Sequence, residues 1–209
     1  MQNLVRALQF APPIAHTPAE LTRRSETGAA MPLKIHRTAK LAPIDLPDFG
    51  TPTVEPGIGD HVYAGRLETF VEKLRTAGAD AAVIYADREH AANMTWLTGF
   101  DPRFEEALLI VRSGRQPVLF TGPENQGAAQ AAPLSMAVRL YPPMGLMGQA
   151  REDTSPLADM FADAGLDRGQ TIGVCGWKYF GPLEHADHHQ WMEIPAYIVD
   201  TLRQFVGER

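Results

Sequence analysis

The chain has 209 residues, 44% hydrophobic and 21% charged, with a formal net charge of −6. A chain of that size and mix buries a core of its own, and its acidity leaves a nucleic-acid-binding face without the charge that would neutralise phosphates. A single cysteine, Cys175, excludes an intramolecular disulfide and any paired-cysteine metal or redox motif. No apolar run approaches the roughly 20 residues that span a bilayer, so no membrane partner is expected.

The charge is uneven along the chain. Residues 1–40 carry six basic side chains against Glu20 and Glu26, a net +4, which leaves −10 for the remaining 169 residues. This start reads as a disordered tail, as sequence upstream of a working start at Met31, or as an organelle transit peptide. From Leu41 to Gly59, Pro43, Pro47, Pro52 and Pro56 recur every four or five residues. Each removes a backbone donor and disfavours helix before it, so the segment reads as an extended arm along which Ile44, Leu46 and Phe49 are spaced. Residues 1–59 are therefore expected to be a basic tail and proline-rich arm, partly disordered, with the folded domain over 60–209.

Over 63–77, Leu67, Phe70, Val71 and Leu74 recur at helical spacing, and Gly78 suits a left-handed C-cap. AAVIY (81–85) has strand length, and Asp87 can cap a helix beginning at Arg88 and stopping at Gly99. The runs 107–113 and 116–122, separated by Gly114-Arg115, predict a hairpin. A helix is expected over 124–132, a strand over 138–141, a helix over 155–165 with Pro156 in its first turn, a strand over 171–177, and a last helix over 195–205. Alternating elements argue for an α/β fold, and the hairpin makes its sheet mixed, with helices on both faces.

Candidate chemistry is sparse. His185-x-Asp187-His188-His189 has metal-ligand residue types, but it follows Gly181-Pro182 in a connection where neighbouring side chains do not converge unaided, so a solvated loop is the stronger reading. Gly57-Ile58-Gly59 lacks the third glycine and the preceding strand of a dinucleotide fingerprint. Cys175 lies within TIGVCGW as a buried small hydrophobe, and no GxSxG elbow surrounds a serine. Glu105 and Glu106 stand side by side at a strand entrance, so their side chains diverge to opposite faces and do not act as a pair. His90, near a helix start, suits a neutral hydrogen-bonding role. These residues give no self-contained active site and no metal site.

The stretch Tyr85–Val111, with Asn93, Trp96, Leu97, Thr98, Gly99 and Phe100 in the pattern N-x-x-(Y/W)-L-T-G-F before an apolar hairpin, resembles the N-terminal domain of the creatinase, prolidase and aminopeptidase P family. PVLFTGPEN, GWKYF (176–180) and IPAYIVDTL (194–202) fit it as well, so the resemblance covers about residues 60–209. It implies a ribonuclease H-like mixed sheet standing before a pita-bread catalytic domain, which in the peptidases binds two divalent metal ions. That catalytic domain would lie beyond Arg209, so this chain is expected to hold no cofactor and no catalytic residue of its own, and whether it acts as an enzyme stays open. The resemblance further implies a cytoplasmic homodimer in which the domain makes subunit contacts and lends residues to a neighbouring active site. The matching positions are His90, Asn93, Phe100 and Arg103, the last able to clamp a substrate carboxylate or simply to pair with Glu105 or Glu106. The alternatives are a stand-alone binding or dimerisation module without catalysis, and a metal enzyme using the 185–189 histidines.

Overall fold

The computed structural model describes residues 5–7, 41–54 and 57–207. The chain divides into two units, one of Met1–Phe10 with Ile58–Arg209 and one of Ala11–Gly57. In the second unit, residues 41–54 have no regular secondary structure and are exposed throughout, and the Asp48 carboxylate turns the chain by accepting the Gly50 N–H at 2.8 Å. The readings made for residues 1–40, apart from 5–7, lie outside the described residues.

The first unit runs β1 (Val5–Ala7), α1 (Asp60–Thr76), β2 (Ala81–Ala86), α2 (Ala92–Thr98), β3 (Ala107–Arg112), β4 (Val118–Thr121), α3 (Gln126–Gln130), β5 (Ala137–Leu140), α4 (Leu157–Asp163), β6 (Ile172–Cys175) and α5 (Ala196–Val206), with short 3-10 turns at Pro142–Met144 and His188–Gln190. The strands form one sheet in the order β1-β6-β2-β3-β4-β5. β1 and β2 lie parallel to β6, β5 lies parallel to β4, and β3 runs antiparallel to both β2 and β4. The mixed sheet expected from the 107–122 hairpin is what forms.

Strand alternation divides the core. Ala81, Val83, Tyr85, Leu108, Ile110 and Phe120 point to one face and pack with Phe161 of α4 and Ile198, Leu202 and Val206 of α5. Ala82, Ile84, Ala86, Leu109, Val111 and Leu119 point to the other, against Phe70 and Leu74 of α1 and Met94 and Leu97 of α2. β2 is buried on both faces, which explains its unbroken apolar run. The apolar stripe of α5 is thus spent on the domain's own core; Phe205 meets Phe161 edge-to-face, with centroids 6.0 Å apart.

Three segments differ from the sequence expectation. Val5–Ala7, placed by sequence in the tail, pairs with β6 through Val5–Ile172 and Ala7–Val174. The helix expected from Arg88 begins only at Ala92, because Asp87 Oδ1 spends itself on the N–H groups of Glu89 and His90 in an Asx turn. β6 ends at Cys175 rather than residue 177: Gly176 and Trp177 leave the ladder to meet the segment around Glu193.

Candidate functional site

With β3 alone reversed, the carboxyl ends of β6, β2, β4 and β5 and the entrance of β3 share one edge of the sheet. Open α/β sheets place ligands outside the carboxyl ends of their strands. Two polar groupings occupy this edge.

The first joins β2 to β6. His90 Nδ1 lies 2.9 Å from Asp87 Oδ1, and the His90 ring stacks on Trp177 with centroids 4.4 Å apart and planes 19° off parallel. Asn93 Nδ2 donates to the Gly176 carbonyl at 2.5 Å, and the Trp177 N–H donates to Glu193 Oε2 at 3.2 Å. Burial alone would raise the Asp87 carboxyl; hydrogen bonds from the His90 side chain and from the His90 and Glu89 backbone outweigh it and hold the group below the usual carboxylate range. The turn after β2 and the segment after β6 are thereby fastened together.

The second lies at the entrance of β3. Glu106 accepts the Tyr85 hydroxyl at 2.6 Å and the Tyr197 hydroxyl at 3.3 Å, so one carboxylate ties β2, β3 and α5. Burial, reinforced by that carboxylate, pushes both tyrosine hydroxyls well above their ordinary value, so both remain donors across the physiological range. Glu105 turns the other way. It is 4% exposed and accepts the Asn125 N–H at 3.1 Å, against the backbone of Gly122. The divergence expected for this pair is what the structure has.

The segment 93–100 is largely a device for ending a helix. Thr98 Oγ1 donates to the Met94 carbonyl at 2.7 Å and accepts the Phe100 N–H at 3.0 Å. Gly99 takes φ +76°, where a Cβ would meet Pro133 Cδ at 2.6 Å and Tyr63 Cζ at 3.0 Å, so only glycine fits. Trp96 is held from α1, with Arg66 Nη1 donating to its carbonyl at 2.7 Å and the guanidinium 5.1 Å from its ring centroid.

His90 and Asn93 therefore converge on Gly176–Trp177. Phe100, expected beside them from the resemblance, is instead a core residue, 2% exposed beneath α2. Arg103 stands apart on an exposed loop and pairs with Asp101 at 3.4 Å, not with Glu105 or Glu106. Sequence reasoning saw Asp87 only as a cap and Trp177 only as part of GWKYF; the Asp87–His90 spacing was the available signal, whereas nothing local marked Tyr197. Around 185–189, His185 stacks on Trp191 at 4.8 Å and accepts the Asp187 N–H at 3.0 Å. Among the described residues no group of three or more His, Cys, Asp or Glu side chains converges to hold a metal ion.

The family model for the Creatinase/Prolidase N-terminal domain matches residues 66–193, spanning β2 to β6, the first edge grouping, and Tyr85 and Glu106 of the second. The chain belongs to this family. Its mixed sheet with helices on both faces is the creatinase N-terminal fold. Among solved structures, similar ones include the dipeptidase PepE from Mycobacterium ulcerans (15% identity, TM-score 0.48, covering 72% of this chain and 34% of that one). The prolidase from Pyrococcus horikoshii OT3 is 10% identical (TM-score 0.43; 69% and 30% covered). The creatinase/prolidase N-terminal domain of an X-Pro dipeptidase from Streptococcus pyogenes is 19% identical (TM-score 0.47; 69% and 90% covered). The matched region spans about a third of the dipeptidase from M. ulcerans and nearly all of the isolated S. pyogenes domain. Curated proteins give no match. No helix among the described residues is long and apolar enough to cross a membrane.

Proposed function

We propose that this chain is the non-catalytic N-terminal domain of a Xaa-Pro aminopeptidase-, prolidase- or creatinase-like protein, making subunit contacts in a cytoplasmic homodimer and shaping a neighbouring active site. The observation that supports it most is the fastening of His90 and Asn93 to Gly176–Trp177 at the carboxyl edge. It holds a half-exposed indole, an imidazole and an amide on rigid backbone, as a surface that must meet another subunit in fixed register requires. Arg103, 72% exposed, remains available for a substrate carboxylate, whereas Phe100 supports the wall from within. The two divalent metal ions and the hydrolytic chemistry belong, on this reading, to a pita-bread domain following this one.

A second reading, a stand-alone binding or dimerisation module, is favoured by α5, whose apolar stripe is covered by the domain's own core. The intact mass of the protein isolated from its cells with an antibody to the domain separates the two. A species near twice the mass of this chain, carrying a further domain on the order of 200 residues, is expected. Its peptidase activity, assayed well below the melting transition, should fall when His90 and Asn93 are both replaced by Ala, while a melting temperature lowered only by the few degrees that the lost contacts cost shows the domain still folded. Metal-dependent peptide hydrolysis by the purified 209-residue chain, absent from a mock preparation, would overturn the non-catalytic assignment.

A further inference from the structure

Glu106 is a half-buried carboxylate whose hydrogen-bond partners are two tyrosine hydroxyls, one on β2 and one on α5. It forms no ion pair among the described residues, although exposed carboxylates such as Glu72, Glu89 and Asp101 do. A partly desolvated anion without a cation is costly, and two neutral donors offset only part of that cost. Asp87 deepens the negative field at Tyr85, while Arg151, on the loop before α4, is a cation whose field reaches Tyr197. The Tyr197 residue is 44% exposed, so the grouping reaches the surface on its α5 side. A carboxylate held by tyrosine hydroxyls near the surface is a setting in which a compact organic cation gains a charge-assisted hydrogen bond, with aromatic side chains close by.

We propose that Glu106, framed by Tyr85 and Tyr197 at the carboxyl edge of the sheet, is a binding subsite for a primary ammonium group. The cation comes from a peptide N-terminus or from a lysine side chain, and the subsite works within this chain alone, independently of any contact with a neighbouring active site. The carboxylate takes one N–H of the ammonium on a lone pair that the tyrosines leave unused, since an ionised carboxylate offers about four such positions. No covalent step is involved.

The test is a nuclear magnetic resonance titration of the full chain carrying ring-labelled tyrosine, with methylammonium chloride as probe against sodium chloride at equal ionic strength and methanol as the neutral isostere. Saturable shifts of Tyr85 and Tyr197 with methylammonium alone are expected. Glu106→Gln keeps an acceptor for one tyrosine and a donor for the other but removes the charge, and it should weaken binding about tenfold or more. Shifts that are linear, that sodium or methanol reproduces, or that survive Glu106→Gln unchanged would overturn the subsite. The wild-type comparison of methylammonium with methanol decides the matter even if that variant does not fold. Glycinamide and Nα-acetyl-lysine amide then distinguish the two sources by which binds more tightly.

Discussion

Replacing Gly176 by Ala strikes the joint between β6 and the segment before α5. A Cβ at this position would stand 2.9 Å from the Glu193 carbonyl carbon and closer still to its oxygen. Carbon atoms sit comfortably at about 3.5–4.0 Å, so one of the two backbones must retreat by at least roughly 0.6–1.1 Å, and further for the oxygen, with the obstacle being backbone rather than the flexible end of a side chain. Overpacking of this kind costs about 1–3 kcal/mol. The displaced Gly176 carbonyl also loses its hydrogen bond from Asn93, worth about 1 kcal/mol. A total of about 2–4 kcal/mol corresponds to a fall of roughly 4–15 °C in Tm for a domain of this size. Urea titration followed by far-ultraviolet circular dichroism measures it, with the slope expected to match wild type and the midpoint to drop. Gly65→Ala is the control: it lies inside α1 with nothing within 4 Å of the added carbon and should raise stability by about 0.5–1 kcal/mol. A Gly176→Ala midpoint equal to wild type would refute the packing argument.

The remaining predictions concern burial and charge. The Asp87 carboxyl is held below its unfolded value, so it contributes stability that is complete above about pH 4 and is lost as pH falls through the lower folded value. Asp87→Asn should therefore flatten the acid limb of a pH–stability curve, and an unchanged limb would count against the His90 contact. Burial pushes the Cys175 thiol up to about 12, so at pH 8 it stays protonated. Iodoacetamide should label it at a rate that tracks the unfolded fraction through a urea series, and rapid labelling in native buffer would show the strand to be open. Phe100→Ala should cost about 3–5 kcal/mol by calorimetry, as a core aromatic does, since 2% exposure leaves it little else to do.

Patterns carried by neighbouring residues were legible before the structure. The unbroken run of β2, the hairpin at Gly114 and the stripe of α5 each follow from side-chain periodicity within a few residues. What failed to show was long-range. Glu106 finds Tyr85 at a separation of 21 residues and Tyr197 at 91, and no local spacing encodes either partner. A motif position does not by itself say where Phe100 lies: just after the left-handed turn at Gly99, its ring is packed in the core. The start of α2 misled for a smaller reason: an aspartate that can cap a helix can equally close an Asx turn, and the ring of His90 lying against Trp177 accompanies the second choice.

The position of β6 between β1 and β2 also sets an order in time. β2, β3 and β4 are antiparallel neighbours, β3 and β4 through a short turn and β2 and β3 across α2, and can pair as soon as residue 121 is made. β1 touches the sheet only through β6, so Val5–Ala7 has no partner until residues 172–175 exist. At roughly 5–20 residues per second on the ribosome, that strand waits on the order of 10–30 s. For the later part of that interval, once residue 86 is made, the hydrogen-bonding edge of β2 that β6 will occupy stands open, making the nascent domain a substrate for chaperones or for mispairing with another chain. Slowing synthesis ahead of residue 172 should lengthen that exposure without changing the finished fold.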